Sequence, residues 1–353
     1  MMIPDGMRVV LDPKDEYTHE PEAAKNYNES MYFNAMDEKS GVGLWMRIGN
    51  RVNEGHAEMT CCLYLPDGKV GFMFRRAEIT HNREMAAGGM RFDVVEPFRL
   101  LMVGYDGELL LMERPGDMLD PGHAFRTNPK VACRIDLRFE GVSPMHGGEI
   151  VNMDGSPWDL DPEKATLRGH TEQHMAVSGS VTVAGQAHTV SGFGYRDKSW
   201  GPRHWDNFYW YKWQPMTFSP DFGIMLTLLG RPDADPVVDG HIFQDGRMDK
   251  LTGATIETHY DADYYPRRIV TRLETATRSF LLEGDAVSCI PLRHLRRQPD
   301  GTTSHARITE ALMRYRCEGM SCFGMSENFD MIEDGVPLST RLKVGVLTDL
   351  VPA

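Results

Sequence analysis

The chain has 353 residues, 41% hydrophobic and 25% charged, with Lys+Arg 38 against Asp+Glu 51 and a formal net charge of −13. That length accommodates two domains with a substantial core, and the acidic balance without a long basic run excludes the footprint of a nucleic-acid binder. No apolar run approaches the roughly 18 residues that span a bilayer, and no cationic segment leads an apolar core at the start, so neither a membrane span nor a secretory signal is expected and a cytoplasmic location is.

In chain order, the first 30 or so residues read as an arm, with a short helix expected within 22–33. Alternation then takes over. Met59, Cys61, Leu63 and Leu65 alternate, Pro66-Asp67-Gly68 turns the chain, and Val70, Phe72 and Phe74 alternate again, which predicts a hairpin. A second hairpin is expected about Asp106-Gly107, between 100–105 and 109–112. A third turns at Ala184-Gly185-Gln186, between Val177, Val181 and Val183 on one side and the run from Val190 to Asp197 on the other. Further strands are expected at 222–229, 241–243, 269–273, 279–282 and 307–316, with a turn at Asp245-Gly246. Turn signals at this spacing predict an all-β chain of antiparallel sandwiches or up-and-down barrels with few helices. So much antiparallel structure exceeds one barrel, so two β units are expected: an arm over 1–35, a first unit over 36–205 and a second over 206–353. The six cysteines (Cys61, Cys62, Cys133, Cys289, Cys317, Cys322) contain no Cys-x-x-Cys pair, and reduced thiols without a structural zinc are expected.

Chemistry concentrates in one stretch, Tyr195-Arg196-Asp197-Lys198-Ser199-Trp200-Gly201-Pro202-Arg203-His204-Trp205. Side chains two apart on a strand share a face, so Phe193, Tyr195 and Asp197 belong together, as do His170, Glu172 and His174 on the partner strand. A hairpin centred near Gly185 sets His174 opposite Arg196 and Gln173 opposite Asp197, while a slip of one residue levels His174 with Asp197. In a dry cavity Asp197 would have a raised pKa and act as general acid, with Tyr195 or His174 assisting. Trp200, Trp205 and Trp210 would wall an apolar ligand and shield a developing cation. Arg203, Lys198 and Glu172 complete the candidate ligand-binding set, and Arg203 equally suits a structural clasp on Asp197. No metal is expected, because the His-Glu-x-x-His order of a zinc helix is missing. No cofactor is expected either, since no dinucleotide, Walker or Gly-x-Ser-x-Gly sequence occurs.

The Gly-x-Gly-Tyr-x-Asp-x-x-Trp-Gly pattern at 192–201 resembles the junction motif of the tandem-calycin, AttH-like superfamily, which includes bacterial carotenoid 1,2-hydratases, kievitone hydratase-like proteins and some fungal Diels–Alderases. The string from Gly194 to Arg203, with Glu172-Gln173-His174, Glu96-Pro97-Phe98 and Gly324-Met325-Ser326-Glu327, is closer still to a bacterial branch of it. The resemblance implies two lipocalin-like antiparallel β-barrels in tandem. It implies acid catalysis on a prenyl double bond by Tyr195 and Asp197, with His174, or second His170, as the upstream histidine. Lys198 departs from the pattern, since the hydratases commonly carry histidine there. The expected function is binding of an apolar small molecule (a terpenoid, steroid or aromatic) with acid-assisted hydration, dehydration or isomerisation. The alternative is a non-catalytic carrier of the same ligand class.

Overall fold

The computed structural model describes all residues except 1–2, 5, 164–166, 204–208, 232–233, 298–302, 342–345 and 351–353. The first half contains β1 (Met7–Val10), β2 (Tyr27–Asp37), β3 (Val42–Arg51), β4 (His56–Tyr64), β5 (Val70–Glu78), β6 (Met85–Ala87), β7 (Met90–Glu96), β8 (Leu100–Met112), β9 (Lys130–Gly141), β10 (His146–Asn152), β11 (Gly169–Val183) and β12 (Gln186–Pro202). Strands β2-β3-β4-β5-β8-β9-β11-β12 close into an antiparallel barrel, with β12 pairing back onto β2. Closure leaves no unpaired edge in the ring. On β9, Cys133, Ile135, Leu137 and Phe139 are buried while Arg134, Asp136, Arg138 and Glu140 are exposed, so the odd positions face the lumen. Phe139 meets Phe33 of β2 at 5.1 Å between ring centroids, and Phe33 meets Phe92 at 4.8 Å. Every residue of β2 is buried, so that part of the wall is covered on both faces.

The second half contains β13 (Trp210–Ser219), β14 (Phe222–Arg231), β15 (Ala234–Gln244), β16 (Arg247–Tyr260), β17 (Pro266–Thr275), β18 (Ser279–Arg297), β19 (Thr303–Cys317), β20 (Met320–Glu333), β21 (Val336–Pro337) and β22 (Val346–Leu350). Strands β13 to β20 pair in sequence order, and β13 on β20 closes a second up-and-down barrel. Its core gathers Met216, Ile224, Leu226, Ile256, Ile269, Leu273 and Met313. Both rings are calycin-like barrels of eight strands. One α-helix, α1 (Pro121–Thr127), lies among the described residues, and none of the helices is long and apolar enough to cross a membrane.

Compact units divide the chain as 1–66, 71–111 and 129–207 against 67–70, 112–128 and 208–353, so the division is not linear and the α1 excursion groups with the second barrel. Three expectations change. Residues 27–33 form no helix, because they enter β2, whose backbone is paired on both sides by β12 and β3; residues 27–35, expected in the arm, are central to the wall. Asp106-Gly107 makes no turn. β8 runs through it in unbroken register with β9, from Leu100 opposite Glu140 to Leu110 opposite Lys130, and neither residue takes the positive φ that a two-residue loop needs. The hairpin at Ala184-Gly185 forms, but with Val183 opposite Gln186, so His174 faces Tyr195 and Glu172 faces Asp197.

Candidate functional site

Pairing in register across four adjacent strands writes out one face of the first barrel as a grid. One row reads His174, Tyr195, Asn34, Trp45; the next reads Glu172, Asp197, Tyr32, Arg47; the third reads His170, Ser199, Ser30, Gly49. The face points away from the lumen, because Val177 pairs with Phe139 and puts the odd positions of β11 inside. The glycines of the motif let the wall close here: a Cβ on Gly194 would stand 1.9 Å from the Asn34 carbonyl oxygen of β2. The Tyr195 N–H donates to Asn34 Oδ1 at 2.8 Å. His174 and Tyr195 meet edge to face at 4.8 Å, and Tyr32 stacks on Trp45 at 6.0 Å. Across the diagonal, His170 Nε2 is hydrogen-bonded to Asp197 Oδ2, the reach expected of long side chains two positions off register. Two donors of the grid, Asn34 Nδ2 and Trp45 Nε1, are buried with no hydrogen-bond partner among the described residues.

The electrostatics divide the four titratable groups into two pairs. Burial presses the Asp197 carboxyl upward, but His170, then Arg203 and Arg47, outweigh it and hold its pKa below the usual value. Burial likewise opposes charge on His170, and Asp197 with Glu172 overcomes it, so the imidazole is held above 6.5. The two therefore form an imidazolium–carboxylate pair. His174 is stripped of its charge by burial and by His146, to a pKa of about 3. Burial, then Glu172 and Asp197, pushes the Tyr195 phenol far above 10, so it keeps its proton. One donor atom from each of His170, Glu172 and Asp197 lies within 4.8 Å of the others, a spacing a cation accepts, though the His170–Asp197 hydrogen bond engages two of the three residues.

Of the residues read from the sequence, Asp197, Tyr195, His174 and Glu172 share this face. Asp197 is not the raised-pKa acid expected, because His170 rather than His174 is its partner. Arg203 sits at the edge, donating to Ser199 Oγ at 3.3 Å. Lys198 and Trp200 point to the opposite, lumen side: Lys198 Nζ donates to Glu29 Oε1 at 2.6 Å and Trp200 stacks on His19 at 4.4 Å. Trp210 is buried in the second barrel, packed on Gly230. Trp205 lies outside the described residues. The rings of the wall are instead Tyr32 and Trp45, which only the strand pairing reveals.

A second polar cluster lies on the second barrel. Glu310 of β19 lies directly opposite Glu327 of β20, and Tyr211 of β13 donates its hydroxyl to Glu327 Oε1 while stacking on Phe329 at 5.3 Å. Burial, then Glu327, pushes Glu310 well above the usual carboxyl range. Two carboxyls facing each other out of water oppose each other's ionisation. The β19–β20 hairpin brings together two glutamates seventeen positions apart in the sequence.

Two closed eight-strand barrels in one chain, with the Tyr-x-Asp strand on the wall of the first, define a tandem-barrel fold. The fold matches an AttH-like protein of Nitrosomonas europaea over 93% of this chain and 98% of that one, with a TM-score of 0.60 and 12% identity. It matches kievitone hydratase from Nectria haematococca over 94% and 98%, at 0.51 and 9%. For CghA with Sch210972 the coverage is 92% and 97%, at 0.50 and 11%. At such identities the likeness is one of fold. By sequence, the chain belongs to the DUF7064 family, a domain of unknown function whose profile matches residues 12–332. No curated protein matches the sequence.

Proposed function

We propose that this protein is an enzyme that adds water to, removes water from, or isomerises an apolar small molecule of the terpenoid, steroid or aromatic class. The observation that carries the reading is the His170–Asp197 pair, an acid held ready by its own carboxylate, on the same face as a protonated phenol and stacked rings. In hydration, the His170 imidazolium gives its proton to one carbon of a double bond. The cation left on the neighbouring carbon is stabilised by the faces of Tyr32 and Trp45. Water adds to that carbon and returns one proton to the imidazole, so the acid is regenerated and the product is an alcohol. Run backwards, the same steps dehydrate; with proton loss from a different carbon they isomerise. Asp197 orients the imidazole, and Tyr195 or the donors Asn34 Nδ2 and Trp45 Nε1 hold an oxygen of the ligand. The presence of kievitone hydratase among proteins of this fold agrees with such chemistry.

The test uses prenyl alkenes and the matching tertiary alcohols, incubated with the protein in deuterium oxide. Deuterium on carbon is expected in the wild type, reduced about 10²- to 10⁴-fold in Asp197→Asn and in His170→Gln, the usual worth of a positioned acid. Ligand bound but recovered without deuterium would make the protein a carrier.

A further inference from the structure

The lumen of the second barrel divides into an apolar half and a polar half. Toward one end Met216, Ile224, Leu226 and Met313 pack against each other. Toward the other, Lys212 of β13 is fully buried and crosses the lumen to β16, where Nζ donates to Tyr260 Oη at 2.7 Å; its other partner is Asn328 Oδ1 at 3.2 Å. Both partners are neutral, and among the described residues no carboxylate stands within ion-pair distance of Nζ. Asp330, the next inward residue of β20, acts on Lys212 through space, and its Oδ1 accepts the Ser339 N–H at 2.9 Å. An ammonium out of water whose hydrogen-bond partners are all neutral is costly, and it retains one N–H to give.

Around it lie side-chain atoms that have no hydrogen-bond partner among the described residues: Trp210 Nε1 and Gln214 Oε1, which flank Lys212 on the inward face of β13, Thr258 Oγ1, next inward of Tyr260 on β16, and Thr271 Oγ1 on β17, one step along from Thr258. Each of these residues is 0–1% exposed. Buried polar atoms in folded proteins are nearly always paired, and a lumen meant only as core is filled by apolar side chains. One or two such atoms are ordinary; four around one ammonium form a binding surface.

We propose that the polar half of the second barrel's lumen binds a monocarboxylate, its carboxylate on Lys212 Nζ and its apolar body against Ile256 and Ile269. A single ammonium matches a single negative charge. The indole N–H and threonine hydroxyls are donors for the second carboxylate oxygen, and an eight-strand barrel holds one small ligand. Ile256 and Ile269 adjoin Thr258 along β16 and across to β17, which sets a tail next to the head-group site. The proposal stands apart from the His170–Asp197 site.

Titration calorimetry of the full-length chain with octanoate and with benzoate tests it. The wild type is expected to bind at least one of them one-to-one. Lys212→Met, with an unchanged near-ultraviolet circular dichroism spectrum, is expected to bind at least tenfold more weakly, and Asp197→Asn to bind as the wild type does. Should Lys212→Met not fold, the near-isosteric Thr258→Val and Thr271→Val replace it, each with a several-fold loss expected. No binding of either acid by the wild type, binding unchanged in the lumen variants, or binding lost in Asp197→Asn alone would each overturn the assignment.

Discussion

His170 and His174 lie four residues apart on the same face of the same strand, and their surroundings leave the first charged and the second neutral. Asp197 and Glu172 keep the first protonated above pH 6.5, whereas burial and His146 keep the second neutral down to about 3. The consequence for stability has a definite sign. Between pH 6.5 and about 3 the unfolded chain protonates His174 and the folded one does not, so this residue makes the protein less stable as the pH falls. His170 contributes the other way: its stabilisation is complete below 6.5 and is lost as pH rises through its raised pKa. Replacing His174 with Gln is expected to flatten the acid limb of a plot of urea stability against pH, by up to about 1.4 kcal/mol per pH unit over the window. A difference between the two proteins that does not vary with pH would mean His174 is charged in the folded state. That His170 and His174 share a face was legible, because alternation is local. Their charges were not, because both depend on Asp197, Glu172 and His146, which register alone brings near.

At the scale of elements, turn chemistry decided the outcome. The β11–β12 hairpin has a two-residue loop in which Ala184 takes φ 50° and Gly185 φ 79°. Positive φ at both positions is the loop geometry that follows the strand twist, and it fixes Val183 opposite Gln186 and with it every pairing of the site. Alanine in the left-handed region is strained, by roughly 1–2 kcal/mol, while asparagine tolerates it. Ala184→Asn is therefore expected to stabilise the protein by about 0.5–1 kcal/mol, read as a higher urea midpoint with an unchanged slope; a lower midpoint would mean that Ala184 makes a contact worth more than its strain. The same dependence explains a sequence signal that misled. Asp106-Gly107 has the composition of a hairpin loop, yet Gly107 serves there to admit the Tyr105 ring, whose hydroxyl oxygen would stand 2.6 Å from a Cβ. Composition marks a glycine's freedom, and only the pairing of β8 with β9 shows which use is made of it.

Over the whole first barrel, the polar side chains of the Tyr195–Arg203 stretch serve two sides of one wall. Asp197 and Tyr195 face outward, while Arg196 and Lys198 face the lumen and are met there by residues near the start of the chain. Glu16 receives Arg196 through two hydrogen bonds of 2.5 and 2.6 Å and accepts the Phe98 N–H at 2.7 Å; Glu29, with His19, receives Lys198. The segment expected as a loose arm is thus fastened to β12 by charge, and its first strand, β1, pairs with β10. A strand of mixed charges reads in sequence as self-neutralising, whereas each of these cations takes its carboxylate from a segment more than a hundred residues away. Burial then sets the energetic scale. The Arg196–Glu16 side chains are 3% and 0% exposed, against 74% and 51% for Arg99–Glu96. Removing one partner of a buried pair strands the other, at about 3–5 kcal/mol, while an exposed pair is worth about 0–1 kcal/mol. Glu16→Gln is accordingly expected to lower stability by several kcal/mol in urea unfolding, and Glu96→Gln to leave it nearly unchanged. If the two variants were equally stable, the first segment would lie free of the barrel, and Arg196 would have to be neutralised from elsewhere.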